Sequence, residues 1–346
     1  MSVPGAFRSQ GRACDRLGSP FMARLLDTLA EGWDETSALG RRFAAWEGDI
    51  GPAGASLPLR LAGGLHALCL SARAPSLAAV YPPAQAGEAA LARALAETLA
   101  THEPFLLDWI DRAPQTNEIR RSAVLIAAAH WLAERHPLPL VLSELGASGG
   151  LNLNFDRFAL DLGTRRYEPA GPVLTLAPDW DGPPPPDAPI RVSERRGVDV
   201  APLDPGRAGD ALRLLAYLWP DQPERLARTR AAIAAHDATV DAADAADWLE
   251  ARLARARPGR LHLVYHTIAW QYFPRATQAR ATAVLEAAGA RAGEDAPLAW
   301  LSMETDGRPD GAALALRLWP GDRRQALGRA DFHGRWVRWD GPARLA

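Results

Sequence analysis

The sequence predicts an α/β fold: an all-helical N-terminal region, then an open, mostly parallel sheet that ends in an antiparallel edge hairpin. Three observations carry this expectation. Residues 1–136 hold apolar side chains at helical spacing and no strand pattern. From Pro139 onward, short apolar runs alternate with helical stretches, as parallel strands joined by crossover helices require. The last two apolar runs follow each other without a clear helix between them, which suits an antiparallel edge.

In the first region, residues 20–46 place Phe21, Leu25, Leu26 and Leu29 at helical spacing. Residues 58–70 read as a short buried helix in which Gly63 and Gly64 mark a close contact. Residues 87–99 form an alanine- and leucine-rich helix. Residues 117–135 form another, capped by Thr116 or Asn117 and stopped before Pro137. This region, 1–136, is a cap or a lead-in to a sheet domain at 137–346.

Within the sheet domain, Leu140–Leu145 is the first strand and residues 152–158 a short helix or turn. Residues 158–176 alternate and carry Gly163 and Gly171, so a β-hairpin insertion is expected near 158–190, with the proline run at 183–186 as a stiff surface loop. A second strand is expected at 190–194, followed by a charged turn through Asp199. Helices at 208–219 and 223–235 are split by Pro220, and a short third strand at 238–240 ends near Asp241 and Asp244. A helix at 247–256, a strong strand at 260–265, a helix at 275–288 and a strand at 298–303 follow. Residues 311–319 and 334–339 are the final two strands.

Composition narrows the function. The chain has 346 residues and a net charge of −2, which suits neither a nucleic-acid nor an anionic-membrane partner. Cys14 and Cys69 make no disulfide framework and no zinc spacing. No His-x-x-x-His, Cys-x-x-Cys or carboxylate pair at ligand spacing appears, so no metal is expected. No apolar run approaches the roughly 20 residues of a membrane span. The expectation is a cytoplasmic bacterial protein that handles a small-molecule substrate; its oligomeric state is left open.

The most informative stretch is 140–153. An apolar run ends in Glu144 and is followed by Gly146, Ala147, Ser148, Gly149 and Gly150. A buried strand that turns sharply into a helix, with its loop open to a ligand, has this pattern. Glycines let backbone N–H groups approach a bound molecule. The acid before the loop favours a ligand with hydroxyls or positive charge over a bare pyrophosphate. The loop also lacks the Gly-x-Gly-x-x-Gly spacing of a dinucleotide site and the Gly-x-Ser-x-Gly spacing of a serine hydrolase.

Ligands of open parallel sheets bind beyond the carboxyl ends of the strands. Those ends carry Glu144 on the first strand, Glu194, Arg195 and Asp199 after the second, Asp241 and Asp244 after the third, His266, Thr267, Trp270, Gln271 and Tyr272 after the fourth, and Glu304 after the fifth. Asn152 either caps the next helix or touches the ligand. Asp199 is either a hydroxyl acceptor or an Asx-turn residue, and Asp241 and Asp244 are either ligand contacts or helix caps. His266, whose unperturbed pKa lies near neutrality, is the candidate general base. Tyr272 is the candidate beside it, while His262 reads as structural.

The pattern resembles class I S-adenosylmethionine-dependent methyltransferases, which implies a Rossmann-like fold and S-adenosylmethionine as cofactor. Glu144-Leu-Gly146-Ala147-Ser148-Gly149-Gly150 is similar to their first motif, with Ser148 where that motif has glycine. The resemblance implies that Glu144, Gly146, Ala147, Ser148, Gly150 and Asn152 cradle the cofactor. It also implies that Asp199 accepts from the ribose, that Asp241 or Asp244 lies at the adenine, and that His266 and Tyr272 face the methyl acceptor. The fourth strand lacks an Asn-Pro-Pro-Tyr signature, so a base amine is not the favoured acceptor. The alternative is a non-catalytic ligand-binding or regulatory protein that keeps the same fold.

A second resemblance spans nearly the whole chain. Residues 7–20, 59–67, 144–157, 195–205, 266–274 and 319–339 are similar, in order, to the bacterial family of domain of unknown function 2332 (DUF2332). That family brings no activity with it.

Overall fold

The computed structural model describes residues 1–341. Its helices are α1 (Val3–Arg16), α2 (Pro20–Glu31), α3 (Ala38–Ala44), α4 (Leu57–Leu70), α5 (Pro75–Ala78), α6 (Glu88–Thr101), α7 (Glu103–Ile110), α8 (Ser122–Arg135), α9 (Ala208–Ala216), α10 (Pro223–Ala234), α11 (Ala245–Arg252) and α12 (Arg275–Gly289). Its strands are β1 (Leu140–Leu145), β2 (Phe158–Asp161), β3 (Arg166–Tyr167), β4 (Leu174–Leu176), β5 (Asp179–Asp181), β6 (Val192–Asp199), β7 (Thr239–Ala242), β8 (Leu261–Thr267), β9 (Leu298–Glu304), β10 (Ala312–Trp319), β11 (Arg323–Ala330) and β12 (Trp336–Trp339). The protein is a mixed α/β structure with a large, mostly parallel sheet and a helical N-terminal region. Among the described residues, no helix is long and apolar enough to cross a membrane.

Two compact units divide the described residues, one of residues 1–116 with 205–230 and one of residues 117–204 with 231–341. The boundary expected at 136/137 is therefore displaced. Residues 117–136 join the sheet unit because Asn117 and Ser122 bond to the turn after β1. Helix α9 joins the helical unit because it packs on α4.

In the helical unit, α1 was not anticipated. Ser2 caps it by accepting from Gly5 N–H at 3.3 Å. Helix α2 begins with Ser19 as cap and Pro20 in the first turn, where a missing N–H costs nothing. Ser19 also donates to Asp221 at 2.6 Å, and Phe21 N–H donates to the other oxygen of that carboxylate at 3.1 Å. This pins the 205–230 segment to the start of α2. Phe7, Leu25, Leu26, Leu61, Leu65 and Leu68 fill the core.

Helix α4 is buried on almost every face, so its sequence shows little amphipathic pattern. A Cβ on Gly63 would lie 2.5 Å from the Tyr217 ring, which is the close contact the glycine pair foreshadows. Gly63→Ala is expected to lower stability by about 1–3 kcal/mol through overpacking, read as a lower urea midpoint at unchanged m-value.

In the sheet unit, the main sheet runs β5-β12-β11-β10-β9-β8-β1-β6-β7 among the described residues. Strands β7, β6, β1, β8 and β9 are mutually parallel. Central β1 is buried along its whole length, which explains the apolar run Leu140–Leu142 that opens it and leaves Ser143 and Glu144 as buried polar residues. From β1 the chain builds outward to β6 and β7, then crosses back to β8 and β9 on the other side of β1. The strand order therefore reverses at β1.

Strand β6 extends to Asp199, so the turn expected after residue 194 is strand. Its charges are tolerated because each has a partner: Glu194 with Arg252 and Arg257, Arg195 with Asp156, and Arg196 with Asp241. The C-terminal hairpin is also larger than expected. Strand β11 pairs antiparallel with both β10 and β12, giving a meander. In the insertion, β2 and β3 form the anticipated hairpin, and β4 adds parallel to β2. Strand β5 leaves it to pair with β12.

Candidate functional site

The site begins with Glu144, one residue from the end of β1. It lies in register with Gly197 on β6 and Tyr265 on β8. Its side chain is 2 % exposed. Burial pushes the carboxyl well above the ordinary carboxylate range; the Arg121 charge opposes this, Asp199 reinforces it, and hydrogen bonds from Tyr265 and Asn152 oppose it again. Glu144 Oε2 is buried with no hydrogen-bond partner among the described residues.

The loop after Glu144 is a chain of left-handed residues, with φ of 66° at Gly146, 52° at Ser148 and 67° at Gly150. Gly146 is obligatory on two counts, since a Cβ there would also stand 2.6 Å from that of Ala269. Ser148 pays steric strain for the same conformation. The loop sits on the end of β6: Ala147 N–H donates to the Val198 carbonyl at 3.0 Å, and Ser148 N–H donates to Asp199 Oδ2 at 2.9 Å.

A bracket behind the loop was not legible in the sequence. Asn152, 1 % exposed, accepts from the Ser122 hydroxyl at 2.8 Å, and its carbonyl accepts from the Tyr265 hydroxyl at 3.3 Å. Asn117 accepts from Leu151 N–H at 2.8 Å. Arg121 donates to the Thr267 carbonyl at 3.0 Å and to the Phe332 carbonyl at 2.9 Å. The turn before β12 is therefore drawn toward the carboxyl end of β8. Asn152 is a bracing residue around Glu144, and its side chain is spent on that task.

Asp199 lies just beyond the glycine loop. Its Oδ2 accepts from Ser148 and its Oδ1 from Ala201 N–H at 3.0 Å, so it forms an Asx-turn with one further acceptor site free on each oxygen. Asp244 takes its structural alternative, the helix cap, whereas Asp241 caps no helix and lies within β7. Asp241 receives both arms of Arg196, at 2.7 and 2.9 Å, and the Trp248 indole N–H at 2.6 Å. Asp244 caps α11 through Ala246 and Asp247 and accepts from Thr277 at 2.7 Å.

His266 is also placed differently from a free base. It is 2 % exposed and stacks on Trp270 with ring centroids 4.7 Å apart. Nδ1 lies 2.7 Å from Glu304 Oε1, and Nε2 accepts from the Trp300 indole N–H at 3.0 Å. An indole N–H only donates, so the proton sits on Nδ1 and both nitrogens are engaged. For Glu304, burial works to raise the pKa. The His266 bond and the Ala269 and Trp270 N–H groups outweigh it and hold the carboxyl below its ordinary value. Tyr272, 75 % exposed, stands in solvent on the turn after β8. His262 is structural as expected, with Nε2 2.8 Å from the Ser143 hydroxyl.

The structure thus gathers Glu144, the 146–150 loop, Asn152 and Asp199 at one end of the sheet, adds Arg121 and Tyr265, and gives the side chains of His266, Asp241 and Asp244 partners within the fold. Among the described residues, no group of three or more His, Cys, Asp or Glu side chains could hold a metal ion. No curated protein and no solved structure matches the chain. Residues 5–339 match the model of the family described as "Uncharacterized protein conserved in bacteria (DUF2332)", and the chain belongs to that family.

Proposed function

We propose that the protein is an S-adenosylmethionine-dependent methyltransferase acting on a small molecule, with the cofactor held at the carboxyl ends of β1 and β6. The observation that carries this reading is the Glu144–Gly150 turn at the point where the strand order reverses. Open α/β sheets bind their ligands at that point. The β7-β6-β1-β8-β9 order agrees with a Rossmann-like cofactor fold.

Two residues fit the cofactor's chemistry. Glu144 offers a buried, unpartnered oxygen to a sulfonium or ammonium group, which would repay the burial of its charge. Asp199 is fixed by two backbone N–H groups and keeps acceptor capacity for two ribose hydroxyls. Gly146 and Gly150 supply the sharp backbone path. When bound, the cofactor supplies an electrophilic methyl group; the chain's part is to bind and align it.

One observation favours a second reading, a ligand-binding protein that transfers no methyl group. His266 has both nitrogens occupied and Tyr272 lies in solvent, so neither is poised as a base. Calorimetry with S-adenosylmethionine and S-adenosylhomocysteine tests the common element, with micromolar binding of both expected. No heat from either at several hundred micromolar sinks both the methyltransferase and a cofactor-binding form of the second reading. Binding without transfer to any acceptor in a methyl-label screen selects the second.

A further inference from the structure

At the opposite end of β8, the sheet unit carries a hollow of about 30 Å³. That is room for more than one water. Arg255, Arg257, Arg260 and Arg291 line it together with His262, over an apolar floor that includes Leu253 and Leu298, and no carboxylate is in its wall. We propose that this hollow is a binding site for a phosphate group.

The cations are unevenly compensated. Glu194 is the acid beside them, and it already serves both Arg252 and Arg257. Arg255, Arg260 and Arg291 form no ion pair among the described residues. Two of the three are held by backbone carbonyls instead. Arg291 donates to Ala287 and Leu253 at 2.8 and 3.2 Å, and Arg260 donates to Gly259 at 3.0 Å. Holding a guanidinium by one edge leaves its other N–H donors for an external acceptor, and reduces the rotamer entropy lost when that acceptor binds. Burial, then the charges of the neighbouring Arg252 and Arg257, push His262 down to about 3.

A tetrahedral dianion matches this set better than a monovalent ion. It presents several acceptor oxygens to several planar forks at once. The small, half-open shape suits one head group and not a nucleic-acid backbone, which needs a track of charges. The hollow is separate from the Glu144 site. His262 and Tyr265, the residue in register with Glu144, are three residues apart on β8, roughly 10 Å along a strand.

The test is calorimetric titration of the whole chain with inorganic phosphate, and in parallel with a small phosphomonoester, against sodium chloride at equal ionic strength. Saturable binding is expected, weakened at least about tenfold in the Arg255→Gln/Arg260→Gln variant, whose two exposed positions leave the core untouched. Phosphate is also expected to protect Arg255 and Arg260 from phenylglyoxal labelling, read by mass spectrometry. Tighter binding of the monoester identifies an organic phosphate as the source, and equal or tighter binding of the inorganic ion identifies free phosphate. Heats that match the chloride control, or a double variant that binds like the parent, overturn the proposal.

Discussion

Arg121→Met is expected to destabilise the sheet unit by about 3–5 kcal/mol, the usual consequence of removing one member of a buried charged network. Methionine keeps much of the length of the side chain but none of its donors. The Thr267 and Phe332 carbonyls would each lose an N–H partner, and buried Glu144 would lose the charge that most offsets its desolvation. Arg121→Lys is expected to recover only part of the loss, because one ammonium cannot reproduce a fork that spans two strands' ends. Coupling to Glu144 is separable by a double-mutant cycle. With Glu144→Gln as the second change, the cost of removing Arg121 is expected to shrink by about 1 kcal/mol or more. Denaturant titrations of the four proteins give the coupling directly. If the two losses simply add, the charge of Arg121 contributes nothing to holding Glu144 in the fold.

Sequence pattern revealed some of this network and concealed the rest, for physical reasons. The stretch through Glu144 was legible because a strand buried on both faces opens on an apolar run, Leu140–Leu142, and its exit turns through Gly146 and Gly150 at positive φ. Helices α2, α4, α6 and α12 were legible from apolar spacing and composition. Strand β11 was not, because Arg323-Arg324-Gln325-Ala326-Leu327 has no alternation or β-branched enrichment; its place is set by hydrogen bonding to β10 and β12. The second half of strand β6 is hidden from sequence because Arg195, Arg196 and Asp199 have the composition of a charged turn. The partners of Glu194, Arg195 and Arg196, which are Asp156, Asp241, Arg252 and Arg257, lie tens of residues away in sequence. Arg121 was invisible for the same reason. His266 shows the converse: a titratable residue on a clean strand looks available until the structure brings Trp300 and Glu304 to its two nitrogens.

Glu144→Gln is expected to change stability with pH and cofactor binding with pH in opposite directions. The Glu144 carboxyl is raised in the fold above its unfolded value. The folded state therefore holds the proton more tightly, and this contribution is fully present below the unfolded pKa near 4.5. As pH climbs toward the folded pKa it is lost, at up to about 1.4 kcal/mol per pH unit. Glutamine does not titrate, so the variant's advantage over the parent should widen as the solution is made more alkaline and then level off. Thermal or urea unfolding at several pH values reads this out. Binding runs the other way. A sulfonium-bearing ligand beside Glu144 favours the carboxylate, so its association should release a proton over the range where Glu144 is protonated. Affinity should there rise by up to about tenfold per pH unit. Arg121, Asn152 and Tyr265 ease that ionisation and Asp199 opposes it. Calorimetry in buffers of different ionisation enthalpy measures the proton directly, and Glu144→Gln should abolish both the release and the pH dependence. A cofactor that binds with no proton exchange at any pH would place its positive charge elsewhere, and Glu144 would then be a strut of the β1 turn, braced by Arg121 and Asn152, that touches no ligand.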